Sequence, residues 1–266
     1  VAGALALTFD NLGEASELER GTWPAGAPIG RHRSVTEALP RLLDELDALG
    51  LSATFFVEAL NCEIYPEALR EITARGHELG MHGWRHEHWA GLSAERERSV
   101  LRAGTRAFDS LGLPVSGFRP PGGGLNRESA ALLREAGIDW CSPEGREFRV
   151  GDGLAYVPFE WELVDAYHLM ERFGALRVAR GAAREPLEPD LVEQRISAAL
   201  CATGRGGVAR AGAGAATVVL HPFLMLDPEW WRGARALLAR IAALARDEEL
   251  SVGPGRALAG DLRAVR

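Results

Sequence analysis

The chain has 266 residues, with 30 basic and 37 acidic side chains and a formal net charge of −7. Every basic residue is arginine, so a Schiff-base lysine and a P-loop lysine are both excluded. The acidic balance, with no basic stripe interleaved with aromatics, speaks against a nucleic-acid partner, and no apolar run is long enough to span a bilayer.

A chain of this length buries roughly three quarters of its unfolded surface, and one α/β barrel of ~250 residues accommodates it. Short apolar runs alternate with longer amphipathic ones, the pattern of a parallel sheet with crossover helices. The first strand is expected over residues 4–10. A helix over 34–49 follows, opened by the capping box Ser34 and Glu37 and stopped at Gly50. Strands are predicted at 53–58 and 78–82, with a helix at 65–75 between them. A helix at 93–111, a strand at 116–119, a helix at 126–136 capped by Asn126, and strands at 138–142 and 155–159 come next. A helix at 187–202, a strand at 217–221 and a helix at 228–247 complete the order. The Gly-rich stretch 204–214 reads as a mobile surface loop. No Gly-rich dinucleotide loop follows the first strand, which weakens a Rossmann reading. The expectation is one α/β domain over 1–266, a distorted (β/α)7-type barrel.

Cys62, Cys141 and Cys201 are odd in number and share no CxxC spacing, so they read as small apolar residues. An apolar strand begins almost at once after Val1 with no signal peptide before it, which predicts a cytoplasmic protein.

In a parallel barrel the C-terminal strand ends carry the site. Here they read Thr8-Phe9-Asp10-Asn11, His82-Gly83-Trp84-Arg85-His86, Arg119-Pro120-Pro121-Gly122-Gly123 and Leu220-His221-Pro222. An acid, an arginine and three histidines are thereby brought to one mouth. His82 and His86 are four apart, which places two imidazoles on one side of a helical turn where they grip one metal ion. His32 and His77 read as structural. Trp84 and Trp89 flank the pair, either packing the loop or forming a stacking wall for a sugar ring.

With these residues in place the chain resembles the polysaccharide deacetylases of the NodB homology domain, carbohydrate esterase family 4. The resemblance runs from Leu5 to about Leu224 and rests on four motifs in order. The family's Thr-Phe-Asp-Asp-Gly matches Thr8-Phe9-Asp10-Asn11-Leu12-Gly13, and its His-(Ser/Thr)-x-x-His matches His82–His86. Its Arg-x-Pro-x-Gly matches Arg119–Gly123, and its late Leu-x-His matches Val219-Leu220-His221 loosely. The resemblance implies a distorted barrel and a divalent metal, zinc by default, that polarises an acetamide carbonyl and lowers the pKa of its bound water. It further implies Asp10 as general base, Arg119 holding Asp10 through a bidentate pair, and His221 as general acid. A backbone N–H near the first motif or the Arg119 loop would join the metal at the oxyanion. Pro121, Gly122 and Trp161 are carried over as substrate-binding positions.

The chain departs from that pattern at Asn11, where the family has a second Asp as metal ligand. The metal set implied is then Asn11, His82 and His86, with a weaker amide ligand. The alternative is that Asp10 itself turns to ligate. Gly83 replaces Ser/Thr and removes a side-chain hydrogen bond from its loop. The family's Asp that tunes the acid histidine has no clean match; the 159–168 region is the candidate, with Asp165 placed to hydrogen-bond His221. Of Trp230 and Trp231, one reads as core and the other as facing an apolar substrate.

The function expected is metal-dependent N-deacetylation of an N-acetyl amino sugar on a small glycoconjugate, with no nucleic acid and no membrane partner. With its Arg-only composition and Thr-Phe-Asp-Asn variant, the chain resembles the branch of that family that deacetylates N-acetylglucosamine on glycopeptide antibiotics of the teicoplanin type. Two rivals remain open: another amide hydrolase on the same barrel, a deformylase or cyclic amidase, and a sugar-binding pseudoenzyme with a weakened metal site.

Overall fold

A computed structural model describes residues 3–205 and 214–264. Most of the predicted loop at 204–214 therefore lies outside the described residues.

The first strand sets the frame. Its sequence GALALTFD is almost wholly apolar, as a central strand of a two-sided parallel sheet must be. Alternate residues face opposite sides. Leu5, Leu7 and Phe9 join the large core beneath the outer helices, while Ala6 belongs to a second cluster with Phe56 and Trp140 on the concave side. Thr8 and Asp10 share the register of Ala6, which aims both inward.

Among the described residues nine strands form one sheet: β1 (Gly3–Asp10), β2 (Thr54–Val57), β3 (Glu78–Met81), β4 (Gly117–Phe118), β5 (Trp140–Cys141), β6 (Arg149–Gly151), β7 (Leu154–Tyr156), β8 (Ala215–Leu220) and β9 (Leu250–Gly253). The spatial order is β6-β7-β5-β4-β3-β2-β1-β8, and β9 pairs with the first half of β1. All pairings are parallel except β6 with β7. The sheet curls into a half-barrel. On the β8 side, Val164 makes an isolated parallel bridge to Val219, which draws the segment after β7 toward the open edge.

All seven predicted strands are present. The two that sequence reading omitted are short. β6 forms a hairpin with β7 through Asp152-Gly153, both at positive φ (51° and 77°), an Asp-Gly turn that is itself a hairpin signal. β9 is four residues between helices. The helix Gly255–Ala264 closes the bottom of the concave side, with Leu258 and Ala259 in the inner cluster against Trp140. No helix among the described residues is long and apolar enough to cross a membrane.

Two predicted caps are corrected. Ser34 does not cap a helix: the Ser34–Ala38 segment is a π-helical turn ahead of Leu39–Leu49. The buried Ser34 hydroxyl accepts instead from the Gly13 N–H at 3.0 Å and bonds His32 Nδ1 at 2.7 Å, so it pins the loop that follows β1. Glu37 pairs with Arg33. The helix expected from Asn126 begins at Ser129, and Asn126 uses its amide N–H groups on the carbonyls of Trp89 and Leu92 and on Glu97. Both polar groups thus brace loops at the strand ends. Ser93 caps its helix, accepting from Arg96 N at 3.3 Å.

Candidate active site

The strand ends surround an open cavity of about 250 Å³. Asp10, Asn11, His82, His86, Arg119 and His221 all line it, so the structure brings together every chemical residue of the four motifs.

Arg119 is the buried hinge of the group, 1 % exposed. Its Nη1 donates to Asp10 Oδ1 at 2.6 Å and to Thr8 Oγ1 at 2.8 Å. Nε and Nη2 both donate to the Ser142 hydroxyl, at 3.2 and 2.8 Å. The bidentate grip on Asp10 is therefore corrected: the fork is shared between Asp10 and Ser142, a residue on the strand beyond, which the motifs do not contain. The guanidinium lies over the Phe56 ring at 4.2 Å. Burial pulls its pKa below the ordinary arginine value, against the opposing effect of Asp10.

Asp10 Oδ2 is the oxygen left for chemistry, 3.9 Å from His82 Nε2. His82 Nδ1 donates to the carbonyl of Arg119 at 2.8 Å, which fixes the tautomer and leaves Nε2 with its lone pair. The His82 and His86 rings approach to 4.9 Å between centroids. They do so across a bend and not a helical turn. Gly83 and His86 both take φ near 74°, and this left-handed bend folds the second imidazole back on the first. Burial pushes both rings toward neutrality, His82 to about 3 and His86 well below its ordinary value.

Glu87 holds that bend. Its Oε2 accepts from the backbone N–H of Trp84 at 2.9 Å and of Arg85 at 3.2 Å. A Cβ on Gly83 would stand 2.7 Å from the same oxygen, so glycine and Glu87 go together.

Asn11 sits at φ 61° after β1, and its buried Oδ1 has no hydrogen-bond partner. Among the described residues no group of three or more His, Cys, Asp or Glu forms a metal cluster. The available donors are two neutral imidazoles and this unpartnered amide oxygen. That set fits a divalent cation: the orphaned oxygen lacks any partner of the protein's own, and such groups are costly to bury.

On the opposite wall His221 Nδ1 meets Asp165 Oδ1 at 2.6 Å. Asp165 is completely buried and further accepts from the N–H of His221 at 2.9 Å, the N–H of Ala166 at 2.6 Å and the Trp230 indole at 3.3 Å. Asp165 thus stands where the sequence reading needed it, in the short helix Asp165–Leu169.

The aromatic wall differs from expectation. Trp89 is 0 % exposed and packs on Phe118 at 4.6 Å, with its indole N–H on Ser129. It has no face to offer a sugar. Trp84 is half-buried against the main core, and Pro121 is buried off the cavity lining. Trp231 stacks under Arg41. The cavity is walled by Phe159, Trp161 and Phe173, with Gly122 at its rim. Trp161 is among the expected substrate-binding positions; Phe159 and Phe173 are not, and the structure adds them to the wall.

The comparisons agree with this geometry. The chain is 28% identical over 160 residues to chitin deacetylase 1 of Saccharomyces cerevisiae, covering 56% of this chain and 51% of that protein. It is 28% identical over 116 residues to a peptidoglycan-N-acetylglucosamine deacetylase of Bacillus cereus, covering 39% and 54%. The chain spans about half the length of these curated relatives. A solved Mycobacterium smegmatis structure named for the polysaccharide deacetylases superposes with a TM-score of 0.79 at 27% identity, covering 98% of this chain and 90% of that one. The family model for polysaccharide deacetylase matches residues 2–141, more than half of the sequence and three of the four motifs, and the chain belongs to the polysaccharide deacetylase family.

Proposed function

We propose that this chain is a divalent-metal-dependent N-deacetylase, zinc being the default metal, that hydrolyses the acetamide of an N-acetyl amino sugar to acetate and free amine. The observation that carries the reading is the meeting of two carboxylate-held groups, Asp10 with Arg119 and His221 with Asp165, in one cavity with His82, His86 and Asn11.

His82, His86 and Asn11 would hold the metal. Bound there it would supply Lewis acidity toward the acyl oxygen and a water that loses its proton readily. Asp10 would take a proton from the attacking water through Oδ2, since Arg119 occupies Oδ1. The water oxygen becomes the new acetate oxygen, and the C–N bond breaks. His221 would deliver a proton from Nε2 to the departing nitrogen. Asp165 holds Nδ1–H, so the ring presents Nε2 to the cavity in one orientation.

The narrower acceptor, N-acetylglucosamine on a teicoplanin-type glycopeptide, draws support from the Phe159, Trp161 and Phe173 wall, which suits an aromatic aglycone. The zinc-loaded protein assayed on N-acetylglucosamine oligomers should release acetate. Release of formate from N-formyl sugars or ammonia from cyclic amides, with none of acetate, would sink the reading.

A further inference from the structure

Two arginines stand at the cavity that none of the four motifs explains. Arg20, at the end of the helix Ala15–Arg20, and Arg172, in the 3-10 turn Glu171–Phe173, both line it. Arg20 Nη2 lies 3.4 Å from His86 Nδ1, at the exposed mouth of the cavity. Arg172 Cζ lies 5.1 Å over the Phe173 ring on the facing wall.

Neither has a carboxylate within ion-pair distance among the described residues, in a chain with seven more acids than bases. Asp10, the one carboxylate lining the cavity among the described residues, is taken by Arg119. The cavity therefore holds three guanidinium groups against one carboxylate. Both side chains are exposed at the cavity mouth, where their like charges repel each other. A concave cationic surface on an acidic protein concentrates field and anions. Two planar forks facing one space match an oxyanion group, carboxylate or phosphate.

We infer that Arg20 and Arg172 form an anion subsite beside the scissile amide, so that the preferred substrate is an N-acyl amino sugar bearing a carboxylate or phosphate. This rests on the deacetylase reading above and, in place of the neutral N-acetylglucosamine acceptor, assigns it an anionic sugar.

The test compares three sugars with the zinc-loaded protein: N-acetylmuramic acid, N-acetylglucosamine 6-phosphate and neutral N-acetylglucosamine. The wild type should favour one anionic sugar over the neutral one at least tenfold in kcat/KM, and the winner separates carboxylate from phosphate. That preference should shrink with rising salt and approach unity in Arg172→Gln and in the Arg20→Gln/Arg172→Gln double variant. A preference near unity in the wild type, or one that survives both substitutions, overturns the inference while leaving deacetylation intact. If no sugar releases acetate, the deacetylase reading fails instead, and calorimetric binding of the same sugars decides the subsite. Tighter binding of an anionic sugar that is lost in the double variant supports it; equal binding of all three overturns it.

Discussion

His221 and Asp165 lie 56 residues apart in sequence and meet at 2.6 Å, and the same carboxylate turns back to accept the His221 backbone N–H. His221 is thus held at ring and main chain by one buried group. Asp165→Asn keeps the shape but offers the ring an amide that accepts on one side only, which frees the imidazole to adopt the wrong tautomer. We expect kcat for acetate release to fall by about 10²–10⁴, with KM changed far less. Steady-state kinetics on a variant whose melting temperature stays near wild type checks this. His221→Ala should cost about as much, and the double variant little more, since the two act as one unit.

Arg119→Lys tests the shared fork. A single ammonium group cannot serve Thr8, Asp10 and Ser142 together. Denaturant unfolding should show a loss of about 1–3 kcal/mol, the cost of leaving buried hydrogen-bonding partners unsatisfied while the charge is kept. Ser142→Ala removes one neutral partner and should cost only about 1–2 kcal/mol.

Gly83→Ser restores the family residue and should nonetheless harm this chain. Its Cβ would meet the Glu87 carboxylate at 2.7 Å, and φ is 74°. A loss of about 1–3 kcal/mol is expected from the strain alone. Zinc affinity, read by calorimetry, should weaken as the His86 bend opens.

Glu58 gives a pH prediction. It is 0 % exposed, and burial, with the charge of Asp10 acting the same way, pushes its carboxyl up to about 8. Unfolded, it titrates near the ordinary value of 4.5. Between these values the folded state holds a proton that the unfolded state has lost, so stability falls as pH rises from about 4.5 to 8. Each pKa unit corresponds to about 1.4 kcal/mol. Glu58→Gln should remove this component, so melting temperatures of variant and wild type should diverge toward pH 9 in favour of the variant. Parallel curves across pH 5–9 would contradict the assignment.

Much of the site was legible because its residues stand at strand ends, where the turn from an apolar run to Asp10, His82, Arg119 or His221 marks the mouth directly. Asp165 stands at no strand end and was reachable only through the family resemblance, which calls for an acid beside His221, in the aromatic segment after β7. Ser142, Glu87 and Ser34 were not. Each is a common polar residue whose role is to brace a functional neighbour from another element, and spacing carries no trace of that. The helical turn assigned to His82 and His86 failed because four-residue spacing is equally served by a bend once Gly83 permits positive φ. Trp89 shows the opposite limit: composition marks an aromatic beside the site, but only packing against Phe118 tells that it faces the core.

The central claim is that His82, His86 and Asn11 hold a metal on which deacetylation depends. The most direct measurement is acetate release by one preparation before chelation, after removal of the metal and after return of stoichiometric zinc. The account predicts activity, then its loss, then its recovery, with His82→Ala and His86→Ala failing to recover. Acetate release that is unchanged after the metal has been stripped would contradict it.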